Sequence, residues 1–148
     1  MQKAFTMIEL VFVIVVIGIL AVVAVPKLAP LINDAQTAKA KSTLASVRSA
    51  LSTERQKLIL QGKFTPIGDL GDSTYAFSNF DNDDARPVLD YPITNCSGNS
   101  SSACWKRVDA THYKYQFTSS SDAADFVLEK NRLNCASNDT TDCDKIAK

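Results

Sequence analysis

Between Phe5 and Val25 the chain runs for 21 residues with Glu9 as its only charged side chain, and no other feature limits its folding as strongly. As a helix rising about 1.5 Å per residue, this run reaches roughly 31 Å, close to the hydrocarbon thickness of a bilayer. A cleaved secretory signal needs a basic leader, a shorter apolar core and a small-residue cleavage site after it. Here the leader is only Met1-Gln2-Lys3-Ala4, the apolar run is too long, and no small-x-small site precedes Pro26. A retained membrane helix fits better.

With the run set aside, the remainder is polar, rich in Ser, Asp and Asn, and holds all four cysteines. Sixteen Lys/Arg balance sixteen Asp/Glu over 148 residues, so no bulk field favours nucleic acid or anionic lipid. The composition also excludes a collagen-like or wholly disordered chain. Orientation signals conflict. Lys3 precedes the run while Lys27, Lys39 and Lys41 follow it, a count against export of the C-terminal part. The clustered cysteines favour an exported, oxidising location and carry more weight.

Glu9 stands out within the run. An unpaired carboxylate in lipid costs a few kcal/mol even on translocon scales, so such groups tend to be paired and functional. An interfacial position is the simpler reading, since Lys3 and Thr6 mark the same end. The sharper reading pairs it with a cation. A cut between Ala4 and Phe5 would create one, the new α-amino group of Phe5, and a neighbouring copy shifted along the axis would bring its amine beside Glu9.

These residues match a known pattern. Lys3-Ala4, then Phe5-Thr6-Met7-Ile8-Glu9-Leu10, an aliphatic run with Gly18 and a closing Pro26 resemble the class III signal of type IV pilins and type II secretion pseudopilins. The resemblance is dense over about the first 30 residues and weak beyond. It implies that a prepilin peptidase cleaves between Ala4 and Phe5 and methylates the new Phe5 terminus. Ala4 departs from the family's usual Gly but is small enough for a tight subsite. The resemblance also implies that the retained helix enters a filament core, with Gly18 and Pro26 as points where it extends or loosens. Partners implied are copies of the chain, related minor pilins or pseudopilins, and an inner-membrane assembly platform with a cytoplasmic ATPase.

Pro26 lacks an amide donor and restricts its predecessor, so a kink or local melting is expected there. From Leu28 to about Leu60, Leu28, Leu31, Ile32, Ala35, Ala38, Ala45, Val47, Leu51 and Leu58 recur at helical steps, with Pro30 near the start and Gly62 as the stop. This amphipathic helix needs a covering surface. Residues from Gly62 to Pro92 read as a loop with short elements. Tyr113, Tyr115 and Phe117 alternate with polar residues over His112–Phe117, as a half-buried strand requires. Ser119-Ser120-Ser121-Asp122 supplies a turn, and a further strand is expected near Asp125–Leu133, with Phe126 and Leu128 on one face. Val88–Ile93 or Trp105–Val108 adds a third. The expected fold is α+β, a long N-terminal helix packed on a small antiparallel sheet that buries these aromatics and Trp105.

Cys96 and Cys104 are eight positions apart, as are Cys135 and Cys143. Two local disulfide loops are preferred because each stretch contains turn formers, with cross-links between the loops as the alternative. Zinc sites want closer Cys spacing. The resemblance favours disulfides as well, since many pilins close their C-terminal region with a disulfide loop. Asp81-Asn82-Asp83-Asp84 offers oxygen ligands, but an EF-hand would need Gly and Glu where Arg86 and Pro92 stand. Asp139, Asp142 and Asp144 form a second set of calcium candidates. Solvated turns are the preferred identity of both sets, and no cofactor is expected. His112, the sole histidine, has no nucleophile motif beside it, and phosphate-loop and H-E-x-x-H patterns are absent. No enzyme is expected. The Asn95, Asn99 and Asn138 glycosylation patterns read as surface turns.

The reading that results divides the chain into a leader (1–4), a membrane and filament-core helix (5–25), its amphipathic continuation (26–61) and a disulfide-bearing head (62–148). It describes a single-pass protein of a bacterial inner membrane, with its head in the periplasm until assembly. A type II secretion pseudopilin is placed first, with a type IV pilus subunit or a DNA-uptake pseudopilin as alternatives. Nucleic acid is a partner only in the last case. A membrane-anchored binding domain is the reading from a different class.

Overall fold

The computed structural model describes residues 5–97, 102–118, 123–137 and 142–147. Ala4, Asp139, the Ser119–Asp122 turn and the glycosylation patterns at Asn99 and Asn138 lie outside the described residues. The chain divides into two compact units, residues 1–35 and residues 36–148. One helix, α1 (Met7–Leu60), contributes to both.

The helix is unbroken at Pro26, and Pro30 lies in its interior rather than near its start. Of the two outcomes expected at Pro26, a kink or local melting, the unbroken helix overturns the melting. Each proline removes one donor and leaves the carbonyl four residues back, of Val22 and of Pro26, without a helical partner. The two losses fall a turn apart on one face, and the bonds on the other faces carry the helix through.

In the second unit α1 buries Ala40, Leu44, Val47, Leu51, Glu54 and Leu58, a stripe with alternating steps of four and three. Ala38 and Ala45, expected on this face, are exposed, as are Leu28, Leu31, Ile32 and Ala35. Alanine is too small to mark a face, and the covered stretch begins only at Ala40. The C-terminus is closed by Gly62 at φ +75°. Its N–H donates to Ile59 O at 2.9 Å and that of Lys63 to Leu58 O at 2.8 Å, a Schellman closure that satisfies two terminal carbonyls.

After α1 come β1 (Tyr75–Phe77), a 3-10 turn (Phe80–Asn82), β2 (Ile93–Thr94), β3 (Cys104–Arg107), β4 (His112–Gln116), β5 (Ala123–Glu129), β6 (Arg132–Cys135) and α2 (Asp142–Ala147). β1 pairs with β2, and β3-β4-β5-β6 form an antiparallel four-stranded meander. The strand expected over Asp125–Leu133 is therefore a hairpin, β5 turning into β6. Lys130 (φ 51°) and Asn131 (φ 62°) make the two-residue turn, the left-handed pair that tight hairpins need. Lys-Asn lacks the glycine that usually announces it. Of the two candidate third strands, the Trp105 region pairs with β4, whereas from Val88–Ile93 only Ile93 enters a ladder.

Alternation along β4 and β5 buries Tyr113, Tyr115, Ala124, Phe126 and Leu128 on one face. Trp105 sits at the centre of this face, 5.2 Å from Phe77 edge-on, 5.1 Å from Tyr115 and 5.3 Å from Phe126. Bonds that tie the sheet to α1 include Arg48 Nε to Leu133 O and Tyr115 Oη to Gln36 O, each 3.0 Å. Gly71 is required where its loop passes β1: an added Cβ would lie 2.3 Å from Ala76 O.

Candidate functional site

The first unit presents a continuous apolar surface. Every residue from Phe5 to Leu28 is exposed, and the apolar window of α1 has a mean hydropathy of 3.2 with 0% of it buried. The helix is long and apolar enough to cross a membrane. Phe5, 79% exposed, precedes it. Thr6 caps it: the Glu9 N–H donates to Thr6 Oγ1 at 3.3 Å and to Thr6 O at 3.2 Å. Thr6-x-x-Glu9 is a capping-box spacing, a local signal that the sequence reading passed over. The cap explains why the helix begins here, and it places the Glu9 carboxylate in the first turn, where the helix dipole favours negative charge. Chemically, a carboxylate at the head of an all-apolar cylinder can neutralise one cation at the same depth. Gly18, where an added Cβ would meet nothing within 4 Å, and Pro26 lie further along this exposed cylinder.

Two polar clusters fix the head. Asp69, 7% exposed, receives both prongs of Arg107, Nε at 2.9 Å and Nη2 at 2.5 Å, the fork geometry that makes Arg–carboxylate pairs strong. The Tyr113 hydroxyl donates to it at 3.0 Å, and the N–H groups of Leu70 and Gly71 at 2.8 and 3.2 Å. The Asp69 carboxylate holds the Arg107 guanidinium above its ordinary pKa, and burial pushes the Tyr113 phenol well up. The cluster joins the loop before β1 to β3 and β4. In the second cluster Arg86 contacts Glu54 at 3.3 Å, Asp81 at 3.2 Å and Asp83 at 2.8 Å, so the one acid in the core stripe of α1 is answered by the following loop. Sequence reasoning missed both clusters.

The calcium candidates are distributed accordingly. Asp81 and Asp83 face Arg86, and Asp81 Oδ1 also accepts the Gly68 and Asp69 N–H groups. Asp142 pairs with Lys145, and Asp144 is on the same short helix. Among the described residues, no group of three or more His, Cys, Asp or Glu side chains is placed to hold a metal. The cysteines form Cys96–Cys104, which joins the β2 exit to β3, and Cys135–Cys143, which holds α2 to the end of β6. His112 bonds to Asp109 at 3.0 Å. Although burial opposes it, hydrogen bonds from His112 and Thr111 bring the Asp109 carboxyl down to about 2.

Comparison with known proteins agrees with the geometry of the first unit. Residues 1–25 match the family described as the prokaryotic N-terminal methylation motif. The chain is 52% identical over 48 residues to the type IV narrow pilus major component PilA5 of Thermus thermophilus, covering 32% of this chain and 41% of that protein. It is 42% identical over 62 residues to a fimbrial protein of Pseudomonas aeruginosa (42% and 38% of the two chains). It is also 38% identical over 63 residues to the type IV major fimbrial protein FimA of Dichelobacter nodosus (43% and 38%). The matches thus span about two fifths of these curated relatives. No solved structure matches the chain. Residues 1–25 thus carry a prokaryotic N-terminal methylation motif, in a chain whose N-terminal part is similar to that of type IV pilus and fimbrial proteins.

Proposed function

We propose that this chain is a filament-forming, type IV pilin-like subunit. The observation that carries the reading is the apolar cylinder of α1, exposed on every side from Phe5 to Leu28. A surface of that size is unstable in water and needs lipid before assembly and other copies after it. On this reading, a prepilin peptidase removes residues 1–4 and methylates Phe5, and residues 5–25 anchor the chain singly in the inner membrane with the head outside the cytoplasm. An inner-membrane platform with a cytoplasmic ATPase then extracts the helix into the filament. Glu9 neutralises the Phe5 amine of an adjacent copy and sets the axial register. Gly18 and Pro26 are the points at which the core helix yields.

The relatives named above are pilus and fimbrial proteins, which favours a type IV pilus subunit over the secretion pseudopilin that the sequence reading placed first. The test is Glu9→Leu. A filament subunit loses incorporation while its membrane insertion is unchanged or improved, because a carboxylate has been removed from lipid. A simple membrane anchor shows the improved insertion and no other change, and that result overturns the proposal.

A further inference from the structure

Four cations line one open groove of the head. Arg48 and Arg55 on α1 face Lys130 and Arg132 of the β5–β6 hairpin across about 590 Å³, and no carboxylate is among the lining residues. None of the four forms an ion pair among the described residues. Arg48 gives its Nε to Leu133 O, and Arg55 its terminal nitrogens to Phe64 O and Thr65 O, carbonyls that orient a guanidinium without neutralising it. Burial lowers the pKa of Arg48, as expected for a half-buried cation with no answering anion. Glu129 stands opposite Arg132 in the β5–β6 ladder but makes no ion pair with it.

The other flank of α1 has the opposite sign. There Glu54 and Lys57 meet Phe80 and Pro87, and the segment 81–91 that supplies Pro87 holds four aspartates against Arg86, a net charge of −3. Asp69, Asp72, Asp81 and Asp83 are engaged within the chain. Asp84 accepts only the Asn79 amide, and exposed Asp90 has no partner among the described residues. Beside Asp90, Tyr91 is 88% exposed, an amphipathic ring of the type enriched where proteins meet.

We propose that the Asp84–Tyr91 edge of one copy docks into the Arg48, Arg55, Lys130 and Arg132 groove of a second copy. This rests on the assembly reading above and names the head surfaces that serve it. The chain's formal charge is zero, so the cationic groove and the acidic edge are complementary parts of one neutral molecule. They lie on opposite flanks of α1, which makes the contact heterologous, the kind that propagates into open filaments rather than closing a dimer. A Tyr91 ring entering beside a guanidinium gains a cation–π contact as well as burial. The groove lining contains no aromatic side chain, so a single-stranded nucleic acid would find no stacking platform there.

The test uses the full-length chain in membranes, prepared as a mixture of ¹⁴N- and ¹⁵N-labelled copies and treated with a carbodiimide. The reagent condenses the Lys130 amine with an adjacent carboxylate to form an amide, and mass spectrometry identifies the joined peptides. Amides between differently labelled chains are expected from Lys130 to Asp84 or Asp90. Their yield should fall about tenfold in Arg132→Glu or Asp90→Lys, where like charges meet, and recover in the double variant. A mixture of the two single variants should join in both directions: Lys130 of the Asp90→Lys chain to Asp90 of the Arg132→Glu chain, and the substituted position 90 of the first to the substituted position 132 of the second. Unchanged yield in both single variants overturns the proposal, as do links confined within single chains. So does a groove that binds a phosphate-rich oligonucleotide while giving no interchain link. Filaments without the link sink this contact alone, whereas the link without filaments sinks the assembly reading alone.

Discussion

Replacing Asp69 by alanine exposes the main energetic commitment of the head. The side chain of Asp69 is 9% exposed and that of Arg107 20%, so the variant leaves a largely desolvated guanidinium without its anion. Breaking a buried pair in this way costs about 3–5 kcal/mol, and the residual exposure of Arg107 places the value near the lower end, about 3 kcal/mol. The Gly71 N–H, which donates to Asp69 at 3.2 Å, is orphaned as well, at about 1 kcal/mol. The Tyr113 hydroxyl turns its single proton from Asp69 to Ala110 O, 3.0 Å away, and adds little. A loss near 4 kcal/mol corresponds to a fall of roughly 15 °C in Tm for a domain of this size. The assay is thermal unfolding of the full chain in detergent with its disulfides intact. It is followed by fluorescence of Trp105, which is 3% exposed and packed on Phe77. Asp69→Ala combined with Arg107→Met removes the stranded charge and should recover part of the loss. A fall below about 4 °C in the single variant, or a double variant less stable than the single, would refute the reasoning.

Removing Cys135–Cys143 as a double serine variant opens a loop with a sequence separation of 8, which should cost about 2–3 kcal/mol. Hydrogen exchange should then show α2 losing protection before the meander does. Gly71→Ala forces a Cβ toward Ala76 O, 2.3 Å away, and should destabilise the head by about 2–3 kcal/mol in the same unfolding assay. The Asp109 carboxyl, held at about 2 against an ordinary 3.8, binds its proton more weakly in the folded chain. Its contribution to stability is therefore present above pH 3.8 and is lost as pH falls through 2. Carboxyl ¹³C shifts should leave Asp109 flat between pH 5 and 3, and a midpoint near 4 would contradict the hydrogen-bonded turn.

The parts legible in the sequence were those written in local or strictly periodic terms. An all-apolar run from Phe5 to Val25 admits few structures, Gly62 supplies a positive φ just past Leu60, and the Tyr113/Tyr115 alternation can occupy only one face of a strand. The stripe on α1 was harder to place. Ala38 and Ala45 fit a helical period as well as Ala40 does, and the choice is made by where the sheet begins to cover the helix. Pairing decided the rest. The Lys130–Asn131 turn is fixed by the β5–β6 register and carries no Gly to announce it. The partners of Asp69 lie 38 and 44 positions away, and Glu54 reads as a surface acid until Arg86, 32 positions on, closes over it. The Thr6 cap, by contrast, was legible: Thr6 and Glu9 stand three positions apart, and their bond needs no tertiary partner.

What the chain becomes in the membrane decides between a filament subunit and a plain anchor. Filaments sheared from cells expressing the native chain, dissociated and weighed intact, test this most directly. A mass for a chain that begins at methylated Phe5 and carries two disulfides is the predicted result. Recovery of the protein only from membranes, still carrying its first four residues and absent from the sheared fraction, would contradict it.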